Sequence, residues 1–115
     1  MAARKIIIDT DPGQDDAVAI LLALASRDEI DLLAITAVAG NVPLELTAKN
    51  ARKVCELAGR RDIAIHAGAA APLDRPLVTA EHVHGKSGLD GADLPEPSMA
   101  LASMSAVEAI THHVR

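Results

Sequence analysis

Short apolar runs recur along the first 70 residues and are separated by longer stretches with helical spacing. Residues 5–9 (KIIID) and 32–39 (LLAITAVA) are apolar on both faces, which is typical of central strands in a parallel sheet rather than of alternating surface strands. Residues 63–67 form a third run of this kind. The pattern therefore predicts three buried strands.

Two helices are predicted between these strands. Asp15 and Asp16 open the first, where negative charge suits the positive end of the helix dipole, and it runs to about Ser26. This helix is apolar nearly all round, so we expect it to be well covered. Pro43 falls in the first turn of the second helix and Gly59 ends it. The apolar stripe of the second helix comprises Leu44, Ala48, Ala51, Cys55 and Ala58.

The alternation of strands and helices indicates the architecture. Parallel strands joined by right-handed crossovers, with helices on the sheet faces, produce this order. Residues 68–97 hold most of the prolines and glycines and are expected to be irregular, and residues 103–114 form a last helix. The sequence predicts an α/β fold with an open, mostly parallel sheet and flanking helices. No strand follows the last helix, so we expect residues 1–115 to be a single, truncated domain.

Composition supports that expectation. Half of the residues are hydrophobic, yet the chain has no Phe, Tyr or Trp. The core must therefore consist mainly of Ala, Leu, Ile and Val. Aromatic side chains normally supply much of the buried area and many walls of ligand pockets, so their absence also indicates that part of a larger protein is missing.

Charge and cysteine content exclude several classes of partner. The net charge is −5 and the basic residues form no stripe, which argues against nucleic acid or an anionic membrane surface. The single cysteine, Cys55, excludes an internal disulfide and suits a reducing compartment. The longest wholly apolar run, residues 17–25, is far shorter than the roughly 20 residues that span a bilayer. Only three apolar residues separate Lys5 from Asp9, so we predict no signal peptide and a cytoplasmic protein.

Four aspartates crowd into the stretch DTDPGQDD at the end of the first predicted strand: Asp9, Asp11, Asp15 and Asp16. Like charges this close raise the cost of ionising one another, so the cluster needs a compensating charge. Helix capping accounts for one or two carboxylates, but not for four beside an apolar strand. We therefore predict a divalent cation, and oxygen-only ligands favour calcium or magnesium over zinc. Side chains at adjacent helix positions diverge by about 100°, so only one of Asp15 and Asp16 easily shares the ion with Asp11.

Polar residues also follow the other predicted strands. Asn41 comes just after the second strand and His66 lies at the end of the third. Because ligands bind at the carboxyl ends of parallel strands, we expect Asp11 and Asn41 to meet at that edge. Asp9 is expected to be structural and to accept hydrogen bonds from turn amides. His66 is expected to be a satisfied residue at a strand end.

Two other acidic motifs share features with this stretch. An EF-hand loop starting at Asp9 would need glycine at position six and an acidic residue at position twelve, where this chain has Gln14 and Ile20, so that motif is excluded. Two aspartates separated by one residue after an apolar strand also suggest a magnesium-dependent phosphatase of the haloacid dehalogenase type. Those proteins continue with Gly-Thr, whereas Pro12 follows here and two further acids would repel a phosphate. The phosphatase stays as an alternative.

The stretch DTDPGQDDAVAILLAL resembles the N-terminal signature of the inosine-uridine preferring nucleoside hydrolase family. LLAITAVAGN is similar to the second strand of that family and the asparagine after it, KNARKVCELAG to its next helix, and TAEHVHGKSGLDG to its His-Gly loop. The likeness covers essentially the whole chain. It implies the N-terminal part of the Rossmann-like nucleoside hydrolase fold. It also implies calcium-dependent cleavage of the N-glycosidic bond of purine or pyrimidine ribonucleosides to free base and ribose.

The resemblance assigns roles to five residues. Asp11 matches both a calcium ligand and the catalytic base that takes a proton from the attacking water. Asp16 matches the second calcium carboxylate of this segment. Asp15 matches a substrate-binding residue that hydrogen-bonds ribose hydroxyls, and Asn41 and His84 match further substrate-binding positions.

The chain departs from the family in length, since members run much longer and contribute further calcium and ribose ligands. Calcium takes 6–8 oxygens, whereas two carboxylates supply at most about four. We therefore expect the 115 residues alone to bind calcium weakly and to be catalytically poor. We also expect the full-length form, like the family it resembles, to be a homo-oligomer. A non-catalytic relic or interaction domain of the same fold is the other alternative.

Gly85, Gly88 and Gly91 indicate a mobile loop, and we hypothesise that this loop is a flap that closes over the substrate.

Overall fold

The computed structural model describes residues 2–115. Its elements follow the predicted alternation, with one additional short helix. They are β1 (Arg4–Thr10), α1 (Gln14–Ala25), β2 (Ile30–Ala37), α2 (Leu44–Leu57), β3 (Ile65–Ala67), α3 (Glu81–His84) and α4 (Ala106–Val114).

The described strands form one three-stranded sheet in the order β1-β2-β3, and both pairings are parallel. Pairing of β1 with β2 runs from Arg4 opposite Ile30 to Thr10 opposite Ala37, with an irregularity between Ile6 and Ile7. The predicted α/β class with a parallel sheet and flanking helices is confirmed. Parallel pairing brings the ends of β1 and β2 to the same edge.

Some element boundaries differ from prediction for local reasons. The last helix begins at Ala106 rather than residue 103, because Ser105 and Glu108 form a reciprocal capping box at its N-terminus. Pro43 is the residue before α2 rather than part of its first turn. The helix α3 lies inside the segment predicted to be irregular, since a single turn of four residues is too short to show periodicity.

The core is aliphatic, as the composition predicts, and lies mainly between the sheet and the helices α1 and α2. Its buried members are Ile20, Leu24, Leu32, Ile35, Ala51, Val54, Cys55, Ile63, Ile65 and Leu89. On α2 the predicted apolar stripe is buried at Ala48, Ala51 and Cys55, whereas Ala58, just past the end of the helix, is exposed. Burial raises the pKa of the Cys55 thiol to about 11, so this cysteine packs as a hydrophobic residue.

The prediction that α1 is well covered is wrong for this chain. Val18 and Leu22 are 66% and 68% exposed. The helix packs against α2 and β2, which cover only one side of it. Within residues 2–115, no helix is both long and apolar enough to cross a membrane.

Candidate active site

Asp11 and Asn41 meet at the carboxyl edge of the sheet, as predicted. The Asn41 backbone N–H donates to Asp11 Oδ2 at 2.8 Å, and Asn41 Nδ2 donates to the Asp11 backbone carbonyl, also at 2.8 Å. A Cβ atom at Gly40 would overlap the Asp11 carboxylate. The glycine therefore permits the close approach that fixes this side chain.

Asp16 lies in the first turn of α1, close to the Asp11 carboxylate. Burial raises the pKa of Asp16 above its ordinary value, and the negative charges of Asp15 and Asp11 add to the rise. The Thr10 hydroxyl opposes this rise in the pKa of Asp16. Thr10 is nevertheless only 7% exposed, and its Oγ1 atom has no hydrogen-bond partner of normal geometry. A buried hydroxyl without a well-formed hydrogen bond thus lies beside the Asp16 carboxylate.

The side chains at this site carry the kind of atoms that a hard cation binds, but too few of them. Asp11, Asp16 and Thr10 offer only oxygen atoms, which calcium and magnesium prefer. Two carboxylates supply at most about four of the 6–8 oxygens that calcium takes. Among the residues that the structure describes, no group of three or more His, Cys, Asp or Glu side chains could hold a metal ion. Further oxygens would have to come from water, substrate or other chain segments.

Asp9 and His66 have structural partners. Asp9 Oδ1 accepts a hydrogen bond from Thr36 Oγ1 at 2.6 Å, so the prediction that it binds turn amides is wrong. The reason is register, since Thr36 lies directly opposite Asp9 in the β1–β2 pair. His66 is 6% exposed, and its Nδ1 lies 2.8 Å from the Met104 carbonyl oxygen. The prediction of a satisfied histidine at a strand end is confirmed.

His84 lies against the acidic turn, residues 9–16, although it is far away in the sequence. Its Nδ1 accepts a hydrogen bond from the Gln14 backbone N–H at 3.2 Å. A Cβ atom at Gly13 would lie 2.7 Å from that nitrogen. The neutral imidazole must then carry its proton on Nε2. Asp15, the second residue of α1, is exposed. The structure thus places all five residues assigned by resemblance on or beside the acidic turn.

The loop that carries His84 is docked at several points. The Ala80 N–H donates to the Asn41 carbonyl at 2.7 Å, and Gln14 Nε2 donates to the Asp90 carbonyl at 2.8 Å. Within the loop, the Asp90 carboxylate accepts hydrogen bonds from Lys86 N and from the backbone and hydroxyl of Ser87. Opening of this loop as a flap stays a prediction.

The raised pKa of Asp16 leads to a prediction on stability. Its ionised form is disfavoured in the folded chain, so in the absence of metal Asp16→Asn should increase the free energy of unfolding at pH 7 by about 0.5 kcal/mol, since solvent screens much of the effect. The gain should shrink as the pH falls through the raised pKa and vanish below the ordinary value of 3.8. Urea unfolding in EGTA at several pH values measures this gain. The exposed Asp93→Asn serves as control, and a gain from Asp16→Asn that is independent of pH would contradict the explanation.

Known proteins resemble this chain over nearly its whole length. Residues 6–115 match the family described as inosine-uridine preferring nucleoside hydrolase. A protein of Schizosaccharomyces pombe described as uncharacterized is 55% identical over 111 residues, covering 96% of this chain and 36% of that protein. The pyrimidine-specific ribonucleoside hydrolase RihA of Shewanella woodyi is 51% identical over 105 residues, covering 91% of this chain and 33% of that enzyme.

A solved structure shows the same fold. The purine-preferring ribonucleoside hydrolase from Gardnerella vaginalis superposes with a TM-score of 0.89 at 30% identity, covering 96% of this chain and 36% of that chain. The present chain therefore spans about a third of the length of the relatives it matches.

Proposed function

This chain belongs to the inosine-uridine preferring nucleoside hydrolase family, and we propose that it works in the hydrolysis of the N-glycosidic bond of ribonucleosides to free base and ribose. One observation supports this proposal above the others. The Asp11 carboxylate is fixed by the Asn41 N–H at the carboxyl edge of the sheet, next to the Asp16 carboxylate. That edge is where open parallel sheets bind their ligands.

Asp11 acts as the catalytic base in this proposal. Hydrolysis requires a group that accepts a proton from the attacking water, and a carboxylate within hydrogen-bond reach can do so. The Asn41 N–H binds one Asp11 oxygen, Oδ2, and thereby fixes the orientation of the carboxylate. A preorganised base needs little rearrangement when the substrate arrives.

The other acidic residues bind the sugar and stabilise charge. The exposed Asp15 is available to hydrogen-bond ribose hydroxyls. Breaking the C–N bond builds positive, oxocarbenium-like charge on the ribose, and nearby carboxylates stabilise it. His84, whose Nδ1 accepts a hydrogen bond from the Gln14 N–H, is also proposed to contact the substrate.

Calcium is the proposed cofactor, held by Asp11 and Asp16 together with oxygens from outside this pair. When bound, calcium supplies positive charge that neutralises the crowded carboxylates and lowers the pKa of a coordinated water. The raised pKa of Asp16 supports this assignment, because it indicates that the crowded carboxylates lack a positive charge beside them. The buried Thr10 hydroxyl, which lies beside Asp16 without a hydrogen bond of normal geometry, offers one further oxygen.

We propose ribonucleosides of either base type as substrates, because one similar enzyme is named pyrimidine-specific and another purine-preferring. We also propose a cytoplasmic location, from the single cysteine, and a homo-oligomer for the full-length protein, from the family resemblance. Neither bears on the chemistry at Asp11.

A paired assay tests the proposed function. The complete natural protein that carries this sequence is incubated with inosine or uridine in calcium or in EGTA, and separately with a phosphate monoester in magnesium. We expect release of reducing sugar from nucleoside that EGTA abolishes, and no release of phosphate. Phosphate release with magnesium would favour the phosphatase alternative. No release in either assay would favour a non-catalytic relic and contradict the proposal.

A further inference from the structure

Two segments carry the proposed site, and they are far apart in the sequence. The acidic turn comprises residues 9–16, and the His84 loop comprises residues 79–91. The helix α2 contacts both segments through one polar side chain, Asn50. It is only 1% exposed, although it lies on the buried face of a helix that packs against the core.

Asn50 binds the two segments at once. Its Nδ2 donates to the Pro12 carbonyl at 3.1 Å and to the Ser87 carbonyl at 2.7 Å. Pro12 is among the most deeply buried residues of the chain, so loss of the amide would leave its carbonyl without a partner. One amide group with two N–H donors thus joins the turn that holds Asp11 to the loop that holds His84.

The surrounding backbone is built closely around this amide. Gly88 adopts φ +88°, and a Cβ atom there would lie 2.8 Å from Asn50 Nδ2 and 3.3 Å from the Pro12 carbonyl oxygen. A side chain at position 88 would therefore push the His84 loop away from the acidic turn. The glycine and the buried amide together set how closely the two segments approach.

We propose that Asn50 is a positioning residue that couples the acidic turn to the His84 loop and sets their relative placement for the substrate. The proposal rests on the proposed function, but the coupling itself is a property of the fold. Pro12 directly follows Asp11 in the chain, so a shift of the Pro12 carbonyl also moves the catalytic base. A misplacement of about 1 Å at a reacting group can cost about 100-fold in rate.

Hydrogen exchange of the Gln14 amide reports the coupling directly, because that N–H donates to His84 Nδ1. In Asn50→Ala we expect the Gln14 amide to exchange about tenfold faster than in the wild-type chain. The reason is that the His84 loop undocks and the hydrogen bond from the Gln14 N–H to His84 breaks. The matched control is Thr47→Val. Thr47 is equally buried on the same helix, but its hydroxyl bonds only the Leu44 carbonyl, so the exchange of Gln14 should be unchanged.

Steady-state kinetics of the complete natural protein tests the consequence. We expect Asn50→Ala to lower kcat/KM for inosine or uridine by about 100-fold, mostly in kcat, with Thr47→Val close to wild type. If Asn50→Ala does not fold, Asn50→Ser replaces it in both measurements, because its shorter side chain keeps a polar group at this site but cannot bind both carbonyls at once.

The outcomes separate the two proposals. Unchanged Gln14 exchange in the Asn50 variant would overturn the coupling. Faster exchange with wild-type kcat in an active enzyme would overturn the positioning role and leave the proposed function intact. A wild-type protein that cleaves no nucleoside would overturn the proposed function and, with it, the role of Asn50 in the reaction, while the exchange data would still decide the coupling.

Discussion

Asp11→Ala should lower kcat/KM for ribonucleosides by roughly 1,000-fold or more in the complete natural protein that carries this sequence, since loss of a general base alone costs about 10²–10⁴-fold. The variant also removes a proposed calcium ligand, so the two losses act together. The backbone contact between the Asn41 side chain and the Asp11 carbonyl does not depend on the carboxylate, so the fold should persist. Ribose release, together with circular dichroism, measures both effects.

Asp9→Asn is the matched control for this prediction. Asp9 belongs to the same cluster and is exposed, but its carboxylate accepts a hydrogen bond from Thr36, and an amide oxygen can accept that hydrogen bond as well. We expect this variant to keep most of the activity. A loss as large as that of Asp11→Ala would show that the total charge of the cluster matters rather than the position of Asp11.

Gly40→Ala should lower kcat/KM by about 100-fold without removing any reacting group, because a displacement near 1 Å is enough for such a loss. A Cβ at position 40 overlaps the Asp11 carboxylate, and the carboxylate is the part that can rotate away. Its hydrogen bond from the Asn41 N–H would then break. Steady-state kinetics and thermal unfolding of the same sample measure the loss of activity and the retained fold.

Gly59→Ala supplies the matched glycine control. Gly59 lies two residues past the end of α2, adopts φ +71° and has no heavy atom within 4 Å of the Cβ it lacks. The substitution therefore strains only the backbone and should lower stability by about 1 kcal/mol. Its kcat should equal that of the wild-type protein. Wild-type activity in Gly40→Ala would contradict the importance of the Asp11 orientation.

The sheet was predictable because strands buried in parallel sheets have nearly continuous apolar sequences. The strands β1 and β2 show no alternation, and that indicates parallel pairing. The expected burial holds for most of β2, but it is wrong for β1, which lies at the edge of the sheet and is at most half-buried from Arg4 to Asp9. The cover itself was less predictable. The apolar helix α1 indicated burial, yet Val18 and Leu22 are exposed, because a sequence pattern reports how apolar a face is and not which segment packs on it.

Part of the site followed from the strand-end rule. Asp11 and Asn41 were placed together because each follows a parallel strand, and the structure pairs them. The partner of Asp9 was not predictable, since it depends on the β1–β2 register. The docking of His84 on Gly13 and Gln14 depends on a contact across about 70 residues of chain, to which no local pattern points.

The sequence position of Asn50 already indicates a buried polar contact. It is a polar residue between Thr47 and Val54 on the buried face of α2, where an amide without partners would be costly. Such a residue indicates that the helix binds the backbone of another segment. The segments could only be identified from the structure.

Whether the acidic turn binds a dication is measured by calorimetric titration of calcium into the complete natural protein. We expect a saturable site in the wild-type protein at pH 7 that is lost in Asp11→Ala. If the wild-type protein gives no heat of binding with calcium, or if Asp11→Ala binds calcium equally well, the acidic turn is not a calcium site.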